Sequence, residues 1–332
     1  MERKNKEEAS LAVVALTRGG RQLGKRIAAS LGADFVYAPG RVRETFSRLW
    51  GRCDGIICIM AAGIVVRLVA PLLGDKRSDP AVVVMDERGG NVISLLSGHL
   101  GGGNALARRL AALTGGRAVI TTASDVCGQT GVDLWARELG LVCDDHPALT
   151  RVMARLVNRG SLLVHSEYPL VECPSDFVMV DRAGRADLLI CRRIDAQPNP
   201  GGVRLFPRNL VAGIGCNRGT VARRIGEALD ATCEKHRLSR RAVAALATID
   251  VKKDEPGLLA FARDAGYEVS FFHRDRLNAV EGVSTSRAVM RAVGARGVAE
   301  PAAILGAGYG KLLVRKEKWT DVTVAIAEAA WP

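Results

Sequence analysis

His99 lies in the run Ser97-Gly98-His99-Leu100-Gly101-Gly102-Gly103-Asn104, between an apolar stretch and an amphipathic one. Imidazole moves protons near neutral pH, so this histidine could serve as a general base or acid. Four glycines in six positions (98–103) remove the side chains that would keep a ligand away from the backbone. A strand, a glycine loop and a helix start, in that order, offer backbone N–H groups at the positive end of a helix dipole. Such a turn suits a carboxylate, a phosphate or a developing oxyanion. The bland alternative is a structural turn with His99 bonded to a neighbouring backbone carbonyl. Spacing alone leans that way, because the run is neither a GxGxxG fingerprint nor a nucleophile elbow.

Other charged and hydroxyl residues cluster near the same part of the chain. Arg67, Lys76 and Arg77 could form a carboxylate-binding rim oriented by Asp79 or Asp86, or simply sit in a solvated loop. The hydroxyls of Thr121, Thr122 and Ser124, with Asp125, follow a strand candidate, where residues past strand C-termini line ligand crevices; Ser124 or Asp125 could equally end a turn or cap a helix. Further on, Gly213-Ile-Gly215-Cys216-Asn217-Arg218-Gly219-Thr220 repeats the strand, glycine loop and helix order. There Thr220 is the expected N-cap and Arg218 could meet an acidic ligand, as could Lys252 and Lys253. Asp254 is expected to cap the next helix ahead of Pro256, and 284–287 to supply another cap. Gly19 to Arg26 is a near miss to a P-loop, since Arg26 stands where Ser or Thr must ligate magnesium. Those glycines read as an ordinary strand-to-helix turn.

These residues need a scaffold, and the hydrophobic pattern supplies one. Leu11–Thr17 is a compact apolar run, and Leu23, Ile27 and Leu31 then recur four apart as a helical stripe. The alternation continues through strands at 35–38, 55–61, 81–86, 91–96 and 117–122, with helices near 41–50, 63–70, 103–113 and 131–140. It implies an α/β domain with a mostly parallel sheet flanked by helices over 1–144. From 145 to 206 the signal weakens to one helix (147–158) and short apolar runs, ending in a Pro/Asn/Gly cluster; this reads as a small middle module with a linker. A second α/β domain is expected over 207–332.

Composition limits the function classes. The 332 residues carry 47 Lys+Arg against 35 Asp+Glu, a formal net charge of +12, spread along the chain with no basic arm. Aromatic residues make up only 5 %, too few for a base-stacking platform, so no nucleic-acid partner is expected. The eight cysteines form no CxxC pair and no zinc-like grouping with the five histidines, so no metal site is expected. No stretch approaches the roughly 18–20 apolar residues that span a bilayer. The charged start does not read as a secretory signal, and a cytoplasmic protein with reduced thiols is expected.

Long joined motifs resemble a known family. The runs 55–87, 93–107 (ISLLSGHLGGGNALA) and 119–125 (VITTASD) resemble the cobalt-precorrin-5A hydrolases of anaerobic cobalamin biosynthesis. The runs 213–220 (GIGCNRGT), 247–262 and 286–308 resemble that family's C-terminal domain, which also occurs alone in a small protein of the aerobic pathway. Gly103 stands where alanine is usual, Ser124 where threonine is usual, and Asn217 where a basic residue is common.

The resemblance implies a cobalt corrinoid substrate with a δ-lactone between a ring-A acetate and the bridging carbon C20. Water opens the lactone, C20 leaves with its methyl group as acetaldehyde, and the macrocycle accepts the electrons, so no separate cofactor is expected. Placing the Ser97–Asn104 loop at the reacting lactone gives a hypothesis with His99 as general base, Asn104 as an orienting group and Ser97 beside them. Amides of Gly101, Gly102 and Gly103 would serve the lactone oxyanion, and Gly98 would contact the substrate. Arg67, Lys76, Asp79, Thr121, Thr122, Asp125, Gly215, Arg218, Lys252 and Lys253 would contact the rest of the substrate. The rival reading is a non-catalytic corrinoid carrier. A homodimer and transient contacts with neighbouring pathway methyltransferases complete the expectations.

Overall fold

The structure is a computed structural model that describes residues 10–75, 78–99 and 101–331. Lys76, an expected substrate contact, and Arg77, its neighbour in the candidate carboxylate-binding rim, lie outside the described residues, as does Leu100. The chain divides into two compact units, one up to Leu134 and one from Trp135.

In the first unit a six-stranded sheet has the order β2-β1-β3-β4-β5-β6. Its strands are β1 (Leu11–Ala15), β2 (Asp34–Tyr37), β3 (Gly55–Ile59), β4 (Ala81–Met85), β5 (Asn91–Leu96) and β6 (Arg117–Val119). β1 to β4 run parallel, β5 turns back antiparallel to β4, and β6 runs parallel to β5. Both faces of the strands are covered, which is why β1, β3 and β4 are apolar without alternation. Val13, Ile57, Ile59 and Val83 pack under helices Arg18–Leu31 and Gly103–Thr114, through Leu23, Ile27, Leu106 and Leu110. Val14, Ile56, Cys58 and Val84 pack under helices Val42–Leu49 and Ala62–Val69, through Phe46, Val65 and Leu68.

Two local features place the site. Asp86 accepts hydrogen bonds from the backbone N–H groups of Arg88, Gly90 and Asn91, forming the tight turn that reverses β5. Because β6 follows the direction of β5, the chain leaves both strands at the same edge of the sheet. The glycine loop after Leu96 and the segment after Val119 therefore meet there, joined by the helix Gly103–Thr114. One expectation needs correcting: Gly19 and Gly20 lie in the first turn of a helix that Thr17 caps, not in a turn before it. Gly20 and Gly24 are small because the helix lies close against Ile59 and Phe35.

The second unit holds two further sheets. One has the order β7-β11-β10-β8-β9, built from β7 (Leu141–Cys143), β8 (Leu162–Ser166), β9 (Phe177–Met179), β10 (Leu188–Ile190) and β11 (Val203–Pro207). Three of these strands are three residues long, too short to leave an alternation pattern in the sequence. The other has the order β14-β13-β12-β16-β15, from β12 (Leu210–Cys216), β13 (Val243–Ile249), β14 (Glu268–Phe272), β15 (Lys311–Trp319) and β16 (Val322–Glu328). β12 to β14 are parallel, and β16 and β15 complete the sheet antiparallel. Gly213 sits so close to the helix Ala299–Gly306 that a Cβ there would lie 1.9 Å from the Ala299 carbonyl oxygen. Thr220 is not the helix cap expected of it: its hydroxyl bonds the Asn217 carbonyl, and Val221 occupies the cap position of the helix Ala222–Lys235. Asp254 is likewise not the cap: Glu255 occupies that position before the helix Pro256–Ala265, without a side-chain capping bond. Ser286 does cap the helix Arg287–Val293.

Candidate functional site: a histidine between two aspartates

The described residues on either side of Leu100, from Leu96 to His99 and from Gly101 to Asn104, bond to one another. Ser97 takes a left-handed conformation (φ 54°), and its hydroxyl donates to the Asp79 carbonyl at 3.0 Å. The amides of Gly102, Gly103 and Asn104 donate to the carbonyls of His99, Ser97 and Gly98 at 2.9, 3.0 and 2.8 Å. A Cβ at Gly101 would lie 2.4 Å from that of Ser97, and one at Gly98 would lie 2.6 Å from Asn104 Oδ1. The glycines are thus required by the compactness of the loop.

This geometry aims His99 away from the backbone and into a polar cluster. Nε2 lies 2.8 Å from Asp125 Oδ2 and 3.2 Å from Ser124 Oγ, while Nδ1 lies 3.6 Å from Asp133 Oδ1. The three side chains His99, Asp125 and Asp133 are only 12–15 % exposed, so the cluster is shielded yet within reach of a ligand. Asn104 spends both Nδ2 hydrogens here, on Asp125 Oδ2 at 2.7 Å and Thr122 Oγ1 at 3.0 Å. Its Oδ1 is buried without a hydrogen-bond partner among the described residues. Arg108, one helical turn beyond Asn104, pairs with Asp125 Oδ1. Burial alone would raise the Asp125 carboxyl, but Arg108, His99 and Asn104 together hold it below the usual carboxylate range.

Several expected roles change. Ser97 is committed to the Asp79 carbonyl, so it shapes the loop and does not face the histidine; the hydroxyl near His99 belongs to Ser124. Gly102 and Gly103 spend their amides inside the loop and have none left for an oxyanion. Asp79 accepts from the Gly74 N–H, Arg67 donates to the Gly63 carbonyl of its own helix, and Thr121 is exposed; none of the three joins the cluster. His99, Asn104, Thr122 and Asp125 do come together. Ser124, read as a plausible contact or a helix cap, also reaches the histidine, whereas Arg108 and Asp133 were missed. The four-residue spacing of Asn104 and Arg108 on one helix was a usable signal for the first, whereas Asp133 is delivered only by the path of the chain after Gly128.

In the second unit the expected basic contacts are largely spent on acids. Arg218 forms a two-pronged pair with Asp254, both exposed. Lys252 pairs at 2.9 Å with Glu255, which is fully buried and also accepts from the Gly219 N–H at 2.8 Å. Burial would raise the Glu255 carboxyl, but Lys252 and that N–H hold it low. Gly215 is small because a Cβ would lie 2.4 Å from Thr323 Oγ1. Gly215, Lys252, Lys316 and Lys318 border a cavity of about 390 Å³ whose apolar wall includes Val289 and Val298. Arg218 and Lys253 are not among its lining residues. A separate cavity of about 650 Å³ lies at the C-terminal ends of β1, β3 and β4, bordered by Met60, Ile64, Met85 and Glu87; of the residues singled out in the sequence it takes in Asp86, whose carboxylate is spent on the turn before β5.

No helix among the described residues is long and apolar enough to cross a membrane. Residues 44–125 match the family model "Cobalamin synthesis G N-terminal" and residues 210–327 match "Cobalamin synthesis G C-terminus". The chain is 35 % identical to a cobalt-precorrin-5A hydrolase of Priestia megaterium, covering 97 % of this chain and 95 % of that one. It is 36 % identical to a cobalt-precorrin-5A hydrolase of Salmonella typhimurium, covering 96 % and 98 %. Protein CobE of Sinorhizobium sp is 30 % identical over 124 residues, 36 % of this chain and 80 % of that one. With both models matched in order and the relatives spanned almost end to end, the chain belongs to the cobalamin synthesis G family.

Proposed function

We infer that this protein is a cobalt-precorrin-5A hydrolase. Full-length similarity to two relatives of that name supports the activity, and the observation that ties it to this chain is the His99 cluster. Lactone hydrolysis needs a group that takes a proton from water and returns it to the departing oxygen. His99 has a carboxylate on one nitrogen to orient the ring and a second nitrogen to carry the proton.

The finer chemistry follows from the substrate. Water adds to the lactone carbonyl as His99 takes its proton, and the acyl C–O bond breaks to free the ring-A acetate. The departing oxygen, on C20, receives the proton from His99. Loss of that O–H proton then forms the aldehyde C=O, the bond between C20 and the ring breaks, and its electron pair passes into the macrocycle. Acetaldehyde leaves, and no separate cofactor is called for. Hydrolase describes the first step; the second makes the overall reaction a carbon–carbon cleavage. Anaerobic incubation with cobalt-precorrin-5A, following acetaldehyde, tests this reading. Release beyond one equivalent per protein is expected, whereas binding without turnover would make the protein a carrier.

A further inference from the structure

We propose that Nδ1 is the atom of His99 that carries the proton, and that Asp133 is the positioning residue that stabilises it once charged. The inference rests on His99 acting as the base and adds which nitrogen does so and what answers its charge. An ionised carboxylate only accepts hydrogen bonds. Asp125 is kept ionised by Arg108 and Asn104, and its Oδ2 lies 2.8 Å from His99 Nε2. That nitrogen must therefore carry the hydrogen of the neutral ring, which leaves the lone pair on Nδ1. It also prevents the Ser124 hydroxyl, 3.2 Å from Nε2, from donating there, so Ser124 is not poised as a histidine-activated nucleophile.

The spacing at Nδ1 agrees with this assignment. Nδ1 and Asp133 Oδ1 are 3.6 Å apart, beyond hydrogen-bond range, as expected when two lone pairs face each other with no proton between them. When Nδ1 gains a proton, the same pair becomes an attractive contact between imidazolium and carboxylate. The Asp133 carboxylate is held in place by the Leu134 N–H, which donates to its Oδ1 at 3.0 Å. The groups facing His99 are Asp125 with its Arg108 partner, Asn104, Thr122 and Ser124 through the same network, and Asp133. Arg108 offsets Asp125, so Asp133 supplies the negative charge that answers the imidazolium.

The test reads the ring directly. In protein labelled with 15N on histidine, with His99 signals assigned by a His99→Gln variant, wild type at high pH should show a protonated Nε2 and a bare Nδ1. This measurement uses no substrate, so it fails or succeeds independently of the activity. In Asp133→Asn kcat for acetaldehyde release should fall about tenfold or more while KM stays near the wild-type value. A purely structural role would disturb substrate binding as well. A protonated Nδ1 in neutral wild-type protein, or an unchanged kcat in a folded Asp133→Asn variant, would overturn the proposal. If that variant does not fold, the wild-type tautomer still decides.

Discussion

His99 Nε2 and Asp125 Oδ2 lie 2.8 Å apart, although 26 residues and a whole helix separate them in the chain. The contact exists because β5 and β6 run in the same direction and release the chain at the same sheet edge. It gives the histidine a fixed tautomer and a fixed orientation, which a mobile surface imidazole lacks.

Asp125→Asn should uncouple that geometry. The amide leaves Arg108 without a charged partner and no longer dictates which nitrogen bears hydrogen. Acetaldehyde release should fall about 100-fold or more, by analogy with the loss of about 10⁴ seen when the carboxylate fixing a catalytic histidine's tautomer becomes an amide. Far-UV circular dichroism should be unchanged. An unaltered rate would remove Asp125 from the account.

The same carboxylate links stability to acid. Its folded value lies below the unfolded one, so its contribution is present at pH values above about 4 and is lost as pH falls through the folded value. Urea unfolding at pH 7 and then at progressively lower pH should show a steeper loss of stability for wild type than for Asp125→Asn. Parallel curves would mean that the carboxyl titrates normally.

Gly98→Ala tests the loop's role as a positioning device. The added methyl would lie 2.6 Å from Asn104 Oδ1 and must push the amide off Asp125 and Thr122. Activity should drop about tenfold or more, while the melting temperature changes by only a few degrees. A loss of folding with full specific activity in the residual soluble protein would contradict this.

In the second unit, Glu255→Ala should cost about 3 kcal/mol in chemical unfolding, because it strands Lys252 and the Gly219 N–H in a shielded site. Lys316→Gln and Lys318→Gln at the rim of the 390 Å³ cavity should weaken corrinoid binding in spectral titrations, more so at low salt. Arg218→Gln should leave it unchanged, since that guanidinium already faces Asp254 in solvent. The reverse ranking would return the substrate's carboxylates to Arg218.

The layered α/β plan was legible because buried strands such as Gly55–Ile59 and Ala81–Met85 are apolar throughout and are bounded by glycine, proline or charge. The sheet around Leu188–Ile190 was not, since a three-residue strand has no period to read. At the site, His99, Asn104 and Asp125 were marked by residue type within recognisable motifs. Ser124 stood in the same motif as Asp125, but Asp133 was not marked, because only the tertiary path brings it to the ring. The glycines misled in the other direction. Gly102 and Gly103 resemble an anion cradle in sequence, but Gly102 permits a left-handed turn and both spend their amides on loop carbonyls.

The most direct measurement is anaerobic acetaldehyde release from cobalt-precorrin-5A by wild type and by His99→Gln, each confirmed folded and able to bind substrate by its absorbance spectrum. The account predicts multiple turnovers for wild type and a rate reduced about 100-fold or more for the variant. Release at the wild-type rate from His99→Gln would contradict its central claim.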